Sequence, residues 1–161
     1  MESPYYYFRS SKISNLKVVY EDDNFIIFNK PNGLLTHPTN KSTELTLRDY
    51  LVDEHPSILS WGEENREGIV HRLDRVTSGL IVCALNLESY NLLKGKFKNR
   101  EITKSYVALI EGSLPSDSGI LNLPLARSLK NRSKRTVDTN GRNSTTKYEV
   151  LNFYEDLNIS K

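Results

Sequence analysis

The sequence has one cysteine, one methionine, one tryptophan and three histidines among 161 residues. A lone Cys83, set in the apolar run 80–85, excludes a disulfide framework and supplies no ligand spacing for a metal. His37, His55 and His71 are scattered and unaccompanied by cysteines, so no zinc centre is expected. No apolar stretch is long enough to cross a bilayer, and the opening Tyr5-Tyr6-Tyr7-Phe8 cluster lacks the charged-then-apolar order of a secretion signal. These absences point to a protein of a reducing compartment, the cytoplasm, with no membrane association. Repeats with periods of about 20–50 residues and low-complexity segments are also missing, which excludes solenoids and propellers.

What is present is enough apolar residue, 37%, for one useful core, so a single compact domain is expected. A formal net charge of +2 is too small to imply a polyanionic partner, but the charge is unevenly placed. Between Arg127 and Arg142 lie six cations (Arg127, Lys130, Arg132, Lys134, Arg135 and Arg142) and one acid, Asp138. A second group runs through Lys94, Lys96, Lys98 and Arg100. Either group has the chemistry to follow a phosphate backbone, and either is equally a solvated face.

Residues 1–15 are polar and aromatic without periodicity and read as a tail. Residues 17–20 and 25–29, separated by Glu21-Asp22-Asp23-Asn24, read as two antiparallel strands joined by a polar turn. Thr46 can cap a short helix carrying Leu47, Tyr50 and Leu51, which Pro56 stops. Residues 57–68 read as a surface loop followed by a strand. Residues 79–85 have the apolar character of a strand covered on both faces, and Asn86 can cap a helix bearing Leu87, Tyr90, Leu93 and Phe97 on one stripe. Residues 103–111 alternate as a sheet strand does. After the basic stretch, read as a loop, residues 145–153 form a further strand, and residues 157–159 look like the opening of another. The order of elements predicts a mixed α+β domain on a largely antiparallel sheet, stopping within an element at Lys161.

The chemistry concentrates in Gly68-Ile69-Val70-His71-Arg72-Leu73-Asp74-Arg75-Val76-Thr77-Ser78-Gly79-Leu80, a polar loop between apolar strands. Arg72 and Arg75 bracket Asp74 and would keep its carboxylate ionised, as a nucleophile or base must be. The competing reading has Asp74 capping the Thr77-Ser78-Gly79 turn through backbone amides. Local chemistry leaves both open. An isolated His71 reads as a hydrogen-bonded structural residue.

His71-Arg72-Leu73-Asp74, two intervening residues, then Thr77-Ser78-Gly79-Leu80 resembles the signature loop of the RluA-type pseudouridine synthases. The strands ending at Asn29-Lys30-Pro31 with Gly33, then Ile102-Thr103-Lys104-Ser105-Tyr106-Val107-Ala108, then Thr145-Thr146-Lys147-Tyr148-Glu149-Val150, follow in that family's order from about Leu16 onward. The resemblance implies that family's catalytic-domain fold, α+β with flanking helices, over residues 16–161 and incomplete at the C-terminus. It implies isomerisation of uridine to pseudouridine in structured ribosomal or transfer RNA, with Asp74 attacking the uridine at the ribose C1′ or by addition to the ring. Tyr106 would lie against the flipped uracil, and Arg72 would enter the gap left by the base. Lys130, Arg132, Lys134 and Arg135 would contact the RNA backbone. The reaction is redox-neutral, so neither cofactor nor metal is expected, and the expected state is a monomer.

The family's catalytic domains run past the point where this chain stops, and the remainder includes a cation that pairs with the aspartate. Arg72, Arg75 or Lys104 would have to supply that charge. The alternative function is a catalytically silent RNA-binding protein that keeps the basic loop. A hydrolase using Asp74 as general base lacks a second acid placed to act with it. The leading residues are too few for an S4-like RNA-binding module, so the catalytic domain itself would choose the substrate.

Overall fold

The computed structural model describes residues 16–39, 43–131 and 134–161, and the chain divides into two units, Met1–Thr103 and Lys104–Lys161. The tail proposed over residues 1–15 lies outside the described residues, as does Arg132.

The first unit opens with β1 (Lys17–Glu21) and β2 (Phe25–Lys30), an antiparallel pair as the apolar runs predict. Asp22 makes the turn: its Oδ1 accepts from the backbone N–H of Asn24 at 2.8 Å and of Phe25 at 2.7 Å. β3 (Gly79–Ala84) adds to the other edge of β2, giving the order β1-β2-β3. Period two then sorts β2, burying Ile26, Phe28 and, on the same parity, Lys30. β3 is covered less than its composition suggests, because Leu80, next to the polar loop, is 61% exposed.

Helix α1 (Leu47–Glu54) starts at Thr46 as predicted, in a reciprocal cap. The Thr46 hydroxyl accepts from the Asp49 N–H while the Asp49 carboxylate accepts from the Thr46 N–H at 2.9 Å. Pro56 does not leave a bare loop: Pro56–Ser60 is a 3₁₀ turn that buries Ile58. Helix α2 (Leu87–Lys98) is capped by Asn86, whose Oδ1 accepts from Ser89 N–H at 2.9 Å. Of its apolar stripe, Tyr90 and Leu93 are buried, whereas Leu87, in the first turn, is half exposed. The core joins Ile26, Phe28, Leu47, Leu51, Ile81 and Cys83 with Leu73 of the polar loop. Burial pushes the Cys83 thiol far up, out of reach of thiolate chemistry.

The second unit is all strand and turn. β5 (Ser118–Arg127) lies between β6 (Arg135–Val137) and β7 (Arg142–Glu149), while β4 (Ile110–Glu111), β8 (Phe153–Tyr154) and β9 (Ile159–Ser160) form a sheet in the order β4-β9-β8. The α+β class and antiparallel pairing are as expected, with the strands divided among three three-stranded sheets. Three boundaries differ. The alternating segment 103–111 is strand only at Ile110–Glu111, because its partner β9 offers two residues to pair with. The strand expected over 145–153 begins earlier, at Arg142, and ends at Glu149, before the separate β8. The expected strand opening at Leu157 is instead a 3₁₀ turn, Glu155–Leu157, with Asn158 left-handed at φ 50° before β9.

Candidate functional site

The polar loop leaves the core at a position only glycine fills. Gly68 has φ +71°, and a Cβ there would lie 2.7 Å from the Ala84 carbonyl oxygen. That close approach lets the Gly68 carbonyl accept from Ala84 N–H at 2.8 Å and tie the loop to β3. His71 then accepts a hydrogen bond from Val82 N–H on Nε2 at 3.1 Å and stacks its ring on Phe97, 4.5 Å between centroids. These are the contacts of a structural histidine.

Beyond His71 the loop is held by its carbonyls, and the holding groups come from the last residue of β2 and the chain that follows it. The Thr36 hydroxyl donates to Leu73 O at 2.9 Å, and the Asn32 side-chain amide to Val76 O at 2.8 Å. Arg75 O receives Gly33 N–H at 2.8 Å and the Lys30 ammonium at 3.3 Å. The same ammonium donates to Pro31 O at 3.0 Å and Leu34 O at 2.8 Å, so a fully buried cation cross-links the end of β2, the following turn and the loop. Burial draws the Lys30 pKa down, and the nearby Asp74 charge works the other way. Leu73 anchors the centre of the loop in the core.

With the backbone so pinned, the alternate side chains face water. Asp74 has a side-chain exposure of 83%, and Arg72, at 51%, brings Nη2 to 3.9 Å from the Asp74 carboxylate. Solvent screens such a pair, so it orients more than it stabilises. Arg75 does not join it: its guanidinium pairs with Glu44 at 2.8 Å, correcting the expectation that two arginines bracket Asp74. The competing role for Asp74 is taken by its backbone, since Thr77 N–H donates to Asp74 O at 3.0 Å; among the described residues no amide is capped by its carboxylate. Glu67, at the start of the loop, pairs with Arg48 at 2.7 Å. Burial would raise the Glu67 carboxyl, but the Arg48 guanidinium and backbone amides outweigh it and hold the group below its usual range.

The roles of His37, Arg66 and Lys30 beside the loop were not expected from sequence. For Lys30 a signal existed: it shares strand parity with Ile26 and Phe28, the buried face. His37 is 9% exposed, with Nδ1 2.9 Å from Pro38 O and Nε2 3.4 Å from Arg72 Nη1. Burial, and then the charges of Arg66 and Arg72, lower its pKa against the opposing hydrogen bond to Pro38. Beside it opens a cleft lined by His37, Pro38, Thr39, Glu64, Asn65 and Arg66.

The remaining predicted residues lie in the second unit. Tyr106 is 63% exposed on irregular chain before β4. The basic stretch forms a hairpin, in which Arg127 and Arg135 are register partners across β5 and β6 and Lys130 and Lys134 lie in the connection. Ser128 N–H donates to Lys134 O at 3.0 Å, drawing the hairpin closed. All four cations are exposed.

The sequence profile of the RNA pseudouridylate synthase family matches residues 24–161. An uncharacterised RNA pseudouridine synthase of Bacillus subtilis is 32% identical over 145 residues, covering 90% of this chain and 48% of that protein. Ribosomal large subunit pseudouridine synthase D of Buchnera aphidicola is 39% identical over 140 residues, covering 87% of this chain and 43% of its own length. The chain thus spans somewhat less than half the length of these curated relatives. Among solved structures, human RNA pseudouridylate synthase domain containing protein 1 superposes with a TM-score of 0.70 at 25% identity, over 99% of this chain and 60% of that one. With its profile match spanning the loop and all nine strands but β1, the chain belongs to the RNA pseudouridylate synthase family, in its RluA-type group.

Proposed function

We propose that the protein isomerises uridine to pseudouridine in a structured ribosomal or transfer RNA, with residues 16–161 acting as part of the catalytic domain and Asp74 as the catalytic residue. The observation that carries this reading is the loop: a carboxylate free of turn-capping, exposed, and fixed through the backbone on both sides of Asp74. Catalysis by a carboxylate needs such placement more than it needs strength, because holding the attacking oxygen near its target removes much of the entropic barrier.

A base stacked within a helix is out of reach, so the uridine must be extruded at a cost of about a few kcal/mol. Arg72 enters the vacated position, where its planar cation stacks and meets phosphate, and Tyr106 lies against the uracil. The Asp74 carboxylate attacks at the ribose C1′ or adds to the ring, the bond from nitrogen to C1′ breaks, and the uracil turns. A bond forms from C5 to C1′ and the bond to Asp74 breaks, restoring the free carboxylate; the hydrogen on C5 leaves as a proton, and the freed ring nitrogen takes one up. Atoms and electrons balance within the nucleotide and water, so no redox partner is required. Lys130, Arg132, Lys134 and Arg135 follow the RNA backbone. Because the site is made of charged and polar side chains facing water, a soluble RNA suits it, and the cytoplasm is its place of work. The protein acts as a monomer.

Incubation with RNA carrying tritium at uridine C5 tests the reading directly. Release of tritium to water by the original chain, and none by a folded Asp74→Asn variant, is the expected result. RNA binding without release by the original chain assigns RNA recognition alone and overturns the catalytic reading.

A further inference from the structure

Two arginines and a nearly buried histidine converge beside the polar loop, yet none of the three is needed to hold the loop. Arg66 shares the cleft with His37, and Arg72 reaches the His37 ring from the loop. Among the described residues, Arg66 has no carboxylate within ion-pairing distance, while Arg72 has only the loose, exposed contact with Asp74. The charge of Glu63 interacts with that of Arg66 without a direct contact, Glu64 lies on the cleft rim, and both acids are exposed to water. A concave surface with guanidinium groups only loosely compensated by exposed carboxylates, beside polar Thr39 and Asn65, has the chemistry of an oxyanion site.

The hydrogen bonds of His37 determine which proton it carries. Nδ1 faces the Pro38 carbonyl, an acceptor, so Nδ1 holds the proton; Nε2 faces the Arg72 guanidinium, a donor, so Nε2 presents its lone pair. The neutral ring in this tautomer is the resting state, favoured by burial and by the two arginines. An anion entering the cleft reverses that preference. It offsets the arginine charges, accepts from Arg66, and gives a protonated Nε2 an acceptor. Once Nε2 carries a proton it can no longer accept from Arg72, so that side chain is released.

We propose that the cleft formed by His37, Arg66, Thr39 and Asn65 is a subsite for a backbone phosphate of the RNA, and that filling it protonates His37 and frees Arg72. The proposal deepens the reading of the protein as an RNA-modifying enzyme and rests on it. Phosphate capture and arginine release thereby become one event, so Arg72 leaves His37 only when a strand is in place. His37 acts on the reaction through Arg72 and is a positioning residue.

The test is filter binding of the full chain to a radiolabelled uridine-containing RNA hairpin, across pH and salt. Each unit by which the phosphate raises the His37 pKa tightens binding about tenfold as pH falls through the titration, read between about pH 8 and about pH 5.5. His37→Gln, whose amide oxygen can still accept from Arg72, is expected to fold normally by circular dichroism and to bind with no such pH dependence. Arg66→Gln is expected to lower the slope of log affinity against log salt by about one. Affinity of the original chain that does not change with pH overturns the subsite, as does pH dependence retained by His37→Gln or an unchanged slope for Arg66→Gln. Absence of any hairpin binding by the original chain overturns the RNA reading and the subsite together, whereas the three former results leave RNA binding intact.

Discussion

Lysine, histidine and glutamate at the base of the loop illustrate how a few buried polar groups set an exposed one. Lys30 leaves its charge inside the protein only because three carbonyl oxygens replace its water, and those carbonyls belong to the segments that aim Asp74. Glu67 does comparable work where the loop begins, accepting from Arg48 Nε at 2.7 Å and from Asn65 N–H at 3.0 Å. Its depressed pKa is a statement about stability. A carboxyl whose folded value lies below its unfolded value, about 4.3, contributes fully above that value and loses its contribution as pH falls through the folded one. Glu67→Gln is therefore expected to cost about 1–3 kcal/mol near neutral pH, as one side of a half-buried charge-assisted pair is removed. The difference should shrink as the buffer is acidified below about pH 4. Urea unfolding of both proteins across pH measures this, and a gap that stays constant into acid would show that Glu67 acts by packing.

Among the elements, the hairpin from β5 to β6 is where structure changes the meaning of the sequence most. As a loop, its cations would be a diffuse charge; as a hairpin, Arg127 and Arg135 stand opposite each other where the strands meet the connection, with Lys130 and Lys134 in the connection. Like charges placed in register repel, so the arrangement suits an anionic partner better than it suits folding. Neutralising Lys130, Arg132, Lys134 and Arg135 together should weaken RNA binding and flatten its salt dependence by up to about four charges' worth, measured as the slope of log affinity against log salt. An unchanged slope would make the hairpin a solvated surface.

Across the whole molecule the burial is lopsided. Every buried apolar residue among those described, from Ile26 to Leu93, belongs to the first unit, while among the described residues of 104–161 only Ser160 is buried. Hydrophobic burial is the main term that resists opening, so the two units should differ in local stability. Hydrogen-exchange mass spectrometry is expected to find the amides of β2 and β3 the slowest of all and those of β5 and β7 faster, despite the longer register of the latter pair. Equal protection would mean that the β5–β7 ladder draws on burial beyond its own unit.

Much was legible in the sequence alone: the polar turn at Asp22, the caps at Thr46 and Asn86, the apolar strand before α2, and the loop motif that signals the family. Each depends on residues near one another in the chain, where propensity and hydrogen bonding act locally. β5 was not legible, because Asn122 and Pro124 argue against a strand and only its pairing with β7, from Ser118 opposite Glu149 to Leu125 opposite Arg142, makes it one. Nor could the partners of the loop be read. That Arg75 goes to Glu44, that Arg48 takes Glu67, and that His37 meets Arg72 are decided by chain segments 19 to 35 residues apart meeting over a shared core. Sequence determines which groups are available for chemistry; the tertiary structure decides which are tied up in holding the loop and which are left facing water.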